Sequence, residues 1–160
     1  MKIKIIKAKR RDIKEIAKIA SRSFSGLKEN KKAIKWINCN FKAYPRMQYF
    51  VAKLEGKIVG YILWMEKGGF REKSVWELEQ IAVDEKFSGQ GIGAKLIKKS
   101  LAEIKKYLKK RNSKLKIIEV TTGTENIAQK LYQKNLGAKV ECIIKNLFRG
   151  DEVIMIARFG

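Results

Sequence analysis

SVWELEQIAVDEKFSGQGIGA, Ser74 to Ala94, decides how the rest of the chain is read. A β-rich segment ends in IAVD (Ile81 to Asp84). After a turn, the glycine-punctuated SGQGIG (Ser88 to Gly93) leads into a long amphipathic run. Strand, glycine loop and helix in that order form an anion cradle. Glycine lets the backbone approach a ligand with no Cβ in the way, and the free N–H groups of the first helical turn, at the positive end of the dipole, favour phosphate. Within the strand, Trp76 and Leu78 keep one parity and Ile81 and Val83 the other, which predicts a β-bulge near Glu79 or Gln80.

Working outward, Ile97, Leu101, Ile104 and Leu108 mark the buried stripe of a helix running to about Lys110, with most lysines on the other side. KLKIIEVTT (Lys114 to Thr122) is the next strand, so Ser74 to Thr122 make a βαβ unit with a parallel pair. A short helix with Ile127, Ala128, Leu131 and Tyr132 follows, ended by Asn135 and Gly137. Two strands close the chain, Lys139 to Leu147 and Val153 to Phe159. On the N-terminal side, alternation predicts a strand over Lys2 to Ala8. Asp12 and Glu15 read as a capping pair for a helix whose stripe is Ile13, Ile16, Ala17 and Ala20. A less regular helix spans roughly Lys28 to Asn40 with Ile34, Trp36 and Ile37, and Pro45 marks its exit. Gln48 to Glu66 is a hairpin turning at Glu55 and Gly56. The sum is an α/β (α+β) fold: one domain over residues 1–160, with a mixed, mostly antiparallel sheet of about six to seven strands flanked by about four helices.

The chain carries 37 Lys and Arg against 16 Asp and Glu, a formal charge of +21. That field attracts something negative, whether a polyphosphate cofactor, an acidic protein or a ribosome, or it reflects a Lys-rich heat-adapted surface. No aromatic RNA-reading motif is interleaved with the basic residues, so dedicated nucleic-acid recognition is the weaker expectation. No segment is apolar enough for a membrane span and no secretory leader is evident, which gives a cytoplasmic expectation without membrane association. Cys39 and Cys142 are far apart and there is no His, so no metal is expected. GQGIGAK lacks the spacing and hydroxyl of a nucleotide-triphosphatase P-loop. A dinucleotide fold would place its glycines after the first strand, not the fourth.

The arrangement closely resembles the GCN5-related N-acetyltransferase (GNAT) superfamily over almost the whole chain. Its signature of Arg or Gln, two residues, Gly, one residue, then Gly or Ala follows an IAVD-like strand end, and here reads Ser88, Gly89, Gln90, Gly91, Ile92, Gly93. A second signature appears as Asn126, Ala128, Leu131, Tyr132 and Gly137. Ser88 departs from the pattern, leaving any side-chain contact with pyrophosphate to a neighbour such as Lys86 or Lys95.

The resemblance implies an acetyl-CoA-dependent N-acetyltransferase acting by direct attack in a ternary complex. Pyrophosphate would lie on the N–H groups of Ser88, Gly89, Gln90, Gly91, Ile92, Gly93 and Ala94, and pantetheine along Ile81, Ala82 and Val83. A backbone N–H near Ile81 or Val83 would act as oxyanion donor. Tyr132 is the expected proton donor to the leaving thiolate, the alternative being a core or CoA-packing tyrosine. Glu77 or Glu79 is the expected base, with Glu77 slightly preferred; the alternatives are solvated strand carboxylates kept ionised by surrounding lysines and deprotonation by bulk solvent. Asn126 is expected to contact the cofactor or to serve the start of its helix. The acceptor is a primary amine of a protein or peptide, an N-terminus or a lysine, with a small-molecule amine second, and the enzyme a monomer or homodimer. A non-catalytic acetyl-CoA-binding protein or an RNA-associated basic module is the different class to be separated by experiment.

Overall fold

The structure is a computed structural model describing residues 2–160. Among these, seven strands form one sheet in the order β1-β2-β3-β4-β5-β7-β6. They are β1 (Ile3–Lys7), β2 (Met47–Leu54), β3 (Lys57–Lys67), β4 (Lys73–Val83), β5 (Lys114–Gly123), β6 (Lys139–Ile144) and β7 (Glu152–Arg158). The helices are α1 (Ile13–Ser23), α2 (Asn30–Lys42), α3 (Ile92–Lys110) and α4 (Ala128–Leu136). β4 pairs parallel with β5, while β1 with β2, β5 with β7 and β6 with β7 are antiparallel, the mixed sheet expected from the hairpins and the βαβ unit. No helix among the described residues is long and apolar enough to cross a membrane. The chain divides into two compact units, Met1–Trp64 with Gln80–Ser100, and Met65–Glu79 with Leu101–Gly160.

In the first unit α1 buries Ile13, Ile16, Ala17 and Ala20, the stripe read from its 3.6-residue period. Asp12 serves a different group from the one expected: its carboxylate accepts from the Lys9 N–H at 2.8 Å, while Glu15 pairs with Lys18 at 2.7 Å on the surface. α2 buries Ala33, Ile37 and Asn40, leaving Trp36 47% exposed, so the tryptophan is not part of the stripe. The buried Asn40 amide is satisfied by donating to the Tyr49 hydroxyl at 2.9 Å. The β2–β3 hairpin turns through Glu55 (φ 49°) and Gly56 (φ 82°), two left-handed residues that match the twist of the strands.

Gly60 on β3 is required for another reason. A Cβ there would stand 2.9 Å from the Ala82 carbonyl oxygen and 3.3 Å from Val83 Cγ2, on the segment of β4 that precedes the glycine loop. Gly60→Ala is therefore expected to lower stability by about 1–3 kcal/mol, read as a lower midpoint in urea unfolding with an unchanged slope.

In the second unit Trp76 meets Tyr107 edge-on, ring centroids 6.1 Å apart, above a core of Ile104, Leu108, Ile118, Val120 and Met155. Each such aliphatic side chain contributes roughly 1.5–3 kcal/mol through burial. Arg111 donates to the buried Glu66 carboxylate, which also accepts from Ser74, so the charge is paired and hydrogen-bonded. α4 ends at Gly137 with φ 68°, the left-handed cap read from the sequence.

Burial along β4 alternates without a break from Lys73 to Val83, so the slip expected near Glu79 is absent. The apolar parity changes because both faces are partly covered: Gln80 takes a buried position by accepting from the Tyr61 hydroxyl at 3.0 Å. The irregularity lies instead in the β4–β5 register, where Ser74 faces Leu115 but Val75 faces Ile117. Lys116 is the extra residue of that bulge.

Candidate active site

In the first unit β4 ends at Val83 and Asp84 anchors the exit. The Asp84 N–H donates to the Val59 carbonyl at 2.9 Å, and its carboxylate accepts from the Lys86 N–H at 3.0 Å. The chain then passes Gly89 (φ 75°) and Gly91 (φ 73°) and enters α3 at Ile92. Added Cβ atoms at either glycine would meet open space, so the left-handed backbone, not packing, calls for glycine there. The Ser88 N–H is committed to the Glu85 carbonyl at 3.1 Å, which removes it from the set of donors expected from the sequence. Among the described residues no backbone bond outside the regular elements engages the N–H groups of Gly89 to Ala94. Free donors, exposed glycines and a helix N-terminus together fit a pyrophosphate. Ile92 is buried and can offer only its backbone, whereas Ser88, Gly89, Gln90 and Gly91 are exposed. On the strand before the loop, Ala82 is buried, and Ile81 and Val83 are half-buried on the opposite face.

In the second unit the β4–β5 register runs from Lys73 and Lys114 to Glu77 and Glu119, although β4 continues to Val83 and β5 to Gly123. Glu77 and Glu79 point to the half-buried face of β4. Lys67 Nζ sits 3.4 Å from Glu77 and 3.0 Å from Glu119, clamping those two carboxylates. Burial alone would lower the Lys67 ammonium, but Glu119 and Glu77 raise it above its ordinary value. Burial lifts Glu77 too, with Lys67 opposing and Glu119 assisting.

Glu79 is different. Its Oε2 is buried and, among the described residues, has no hydrogen-bond partner. Burial, with the Glu77 charge adding to it, pushes its carboxyl up from 4.5 to about 7. Among the described residues no cation offsets this rise, and Lys67 beside the carboxylate row is engaged by Glu77 and Glu119. Stability follows with a definite sign. A carboxyl raised in the folded state contributes its proton-linked stability below pH 4.5 and loses it as pH rises to about 7. Glu79→Gln is thus expected to gain about 1–3 kcal/mol near pH 8 and little near pH 4.5 relative to the parent. Thermal unfolding at both pH values checks this, and an equal gain at both would contradict it.

Tyr132 on α4 is buried, its phenol pushed by burial up to about 12 and its hydroxyl without a partner among the described residues. It therefore keeps its proton throughout the neutral range. Asn126 donates to the Thr122 hydroxyl at 2.9 Å and accepts from the Ala128 N–H at 2.9 Å, so it organises the start of α4 and keeps one amide hydrogen to offer. Sequence reading missed Lys67 and Glu119. Each is an ordinary strand residue until the register sets Glu119 beside Glu77.

The sequence model of the acetyltransferase (GNAT) family matches residues 13–138. The chain belongs to that family. The family is one of acetyltransferases. An uncharacterized N-acetyltransferase of Methanocaldococcus jannaschii is 31% identical over 122 residues, 72% of this chain and 50% of the relative, so the chain spans half the length of that protein. The ribosomal-protein-S18-alanine N-acetyltransferase of Escherichia coli superposes with a TM-score of 0.73 at 21% identity, covering 98% of this chain and 94% of that one. A chain of the NatC complex bound to Gag peptide and CoA superposes with a TM-score of 0.78 at 16% identity, with full coverage of both. At these identities the two superpositions establish the fold of this GNAT domain.

Proposed function

We propose that this GNAT domain moves an acetyl group from acetyl-CoA to the α-amine of a protein or peptide by direct attack, with Glu79 as the base. The carrying observation is the buried, unpartnered Glu79 oxygen on a carboxyl raised to about 7. An α-amine has a pKa near 7.7–8.0, so handing its proton to Glu79 is uphill by only about one unit, roughly 1.4 kcal/mol. A carboxyl at its ordinary 4.5 would face more than three units. A lysine ε-amine, at about 10.4, would face a comparable gap even with Glu79. The preference for an N-terminal acceptor follows from this difference, and Glu79 replaces Glu77, engaged by Lys67, as the first choice of base.

Acetyl-CoA supplies the acyl carbon and the thiol leaving group. The N–H groups of Gly89, Gln90, Gly91, Ile92, Gly93 and Ala94 hold its pyrophosphate, and Asn126 turns its remaining amide hydrogen to the cofactor. The backbone of Ile81, Ala82 and Val83 pairs with the pantetheine amides, a role supported by their place at the strand end that leads into the glycine loop. An N–H of Ile81 or Val83 donates to the carbonyl oxygen as negative charge builds. Glu79 takes the proton from the amine as the N–C bond forms. Tyr132 donates its hydroxyl proton to sulfur as the C–S bond breaks.

Incubation with acetyl-CoA and peptides bearing free or blocked N-termini, read by mass spectrometry, tests this reading. Acetylation of free N-termini with one CoA released per acetyl group is expected. CoA release with no acetylated peptide, or acetylation of small amines alone, would overturn it.

A further inference from the structure

Resting on that reading of the site, we propose that the preferred acceptor carries an acidic side chain about three to five residues beyond its reacting N-terminus. The basin that would receive it opens in the second unit on the half-buried face of β4. It has a volume of about 780 Å³ and is lined by Lys67, Arg71, Lys73, Val75 and Lys116, with Glu72 at its edge. Four cations thus face one carboxylate. Lys67 is engaged by Glu77 and Glu119, but among the described residues Arg71, Lys73 and Lys116 have no ion-pair partner, and all three are exposed. Arg71 is held by donating from Nε to the Gly68 carbonyl at 2.8 Å, which leaves its terminal nitrogens for a ligand.

A basic surface alone would mean little on a chain of charge +21. What singles out this basin is its continuity with the carboxylates. Lys73, Val75, Glu77 and Glu79 occupy alternate positions on one face of a single strand. The β5 bulge places Lys116 as well as Ile117 against Val75, so the register irregularity itself adds a cation to the basin. The face is therefore bipolar, anionic around Glu77 and Glu79 and cationic around Lys73 and Lys116. A peptide whose protonated N-terminus approaches the acidic end and whose carboxylate side chain reaches the basic end matches both poles. The spacing follows from strand geometry. Val75 and Glu79 are four positions apart, about 13 Å at ~3.3 Å per residue, and an extended acceptor covers that distance in about four residues.

The test is a set of otherwise neutral peptides with a free N-terminus, carrying one Asp, Asn or Lys at each position from the second to the eighth. kcat/KM is measured at low and high salt for the parent and for the Lys73→Glu, Lys116→Glu double variant. The parent is expected to favour Asp over Lys by about five- to tenfold, greatest between the fourth and sixth positions, with the ratio collapsing near 1 M salt. The double variant is expected to invert the ratio, which is internal to each enzyme and independent of its overall activity. If the variant proves inactive, the parent's positional profile and salt dependence decide the matter. Acetylation of every peptide without charge preference, or a preference independent of position, would overturn this proposal alone. No acetylation of any peptide would overturn the underlying reading of the site, and this proposal with it.

Discussion

Glu79→Gln is expected to lower kcat/KM for an N-terminal acceptor by about 10²- to 10³-fold while leaving acetyl-CoA affinity within about twofold. The magnitude follows from proton bookkeeping. The raised carboxyl narrows the pKa gap to an α-amine by about 2.5 units relative to an ordinary Glu, worth roughly 3 kcal/mol at the transition state. Gln preserves size and hydrogen-bonding capacity but cannot take a proton. The same substitution relieves a buried charge, so lost activity should accompany gained stability above neutral pH, the trade expected of a strained catalytic group. Steady-state kinetics with calorimetric titration of acetyl-CoA separates the two effects. A fall in cofactor affinity as large as the fall in rate would point to a structural role. Glu77→Gln should be milder, since Glu77 acts on Glu79 mainly through charge and is itself held by Lys67.

Tyr132→Phe is expected to reduce kcat about 10²- to 10³-fold with little change in acetyl-CoA affinity, because it deletes only the hydroxyl and retains the buried ring. Burial keeps the phenol protonated up to about pH 12, so no inflection in the working pH range should belong to it. Its high value also makes full proton release to a thiolate uphill in water. The donor is effective only where the developing thiolate shares the same dry surroundings and rises with it. Single-turnover measurement of CoA release isolates this step. An unchanged rate would reassign Tyr132 to packing.

The parts of this account legible from the chain are those written as local patterns. The helix stripes, the left-handed Glu55–Gly56 turn and Gly137 cap, and the glycine loop all follow from period and backbone sterics within a few residues. What could not be read was set by register. Lys116 becomes a bulge only because Val75 skips it for Ile117, and Glu119 meets Lys67 only because it falls opposite Glu77. The parity change in β4 pointed to a bulge in the wrong strand, since a buried Gln80 bonded to Tyr61 allowed the alternation to continue. Nothing local marks Lys67 as the lysine that clamps Glu77, and the irregular period of the second helix does not show that Trp36 is exposed.

The most direct test of the account is the pH dependence of kcat/KM for a free N-terminal peptide, compared between the parent, Glu77→Gln and Glu79→Gln. In the parent the rate should rise through an inflection near pH 7 that stays in place when the acceptor amine is exchanged for one of different basicity. Glu77→Gln should keep that inflection but move it lower, because a neighbouring negative charge has been removed, and Glu79→Gln should lose it, leaving only the titration of the acceptor. An inflection near pH 7 that survives unchanged in Glu79→Gln would contradict the assignment of the base.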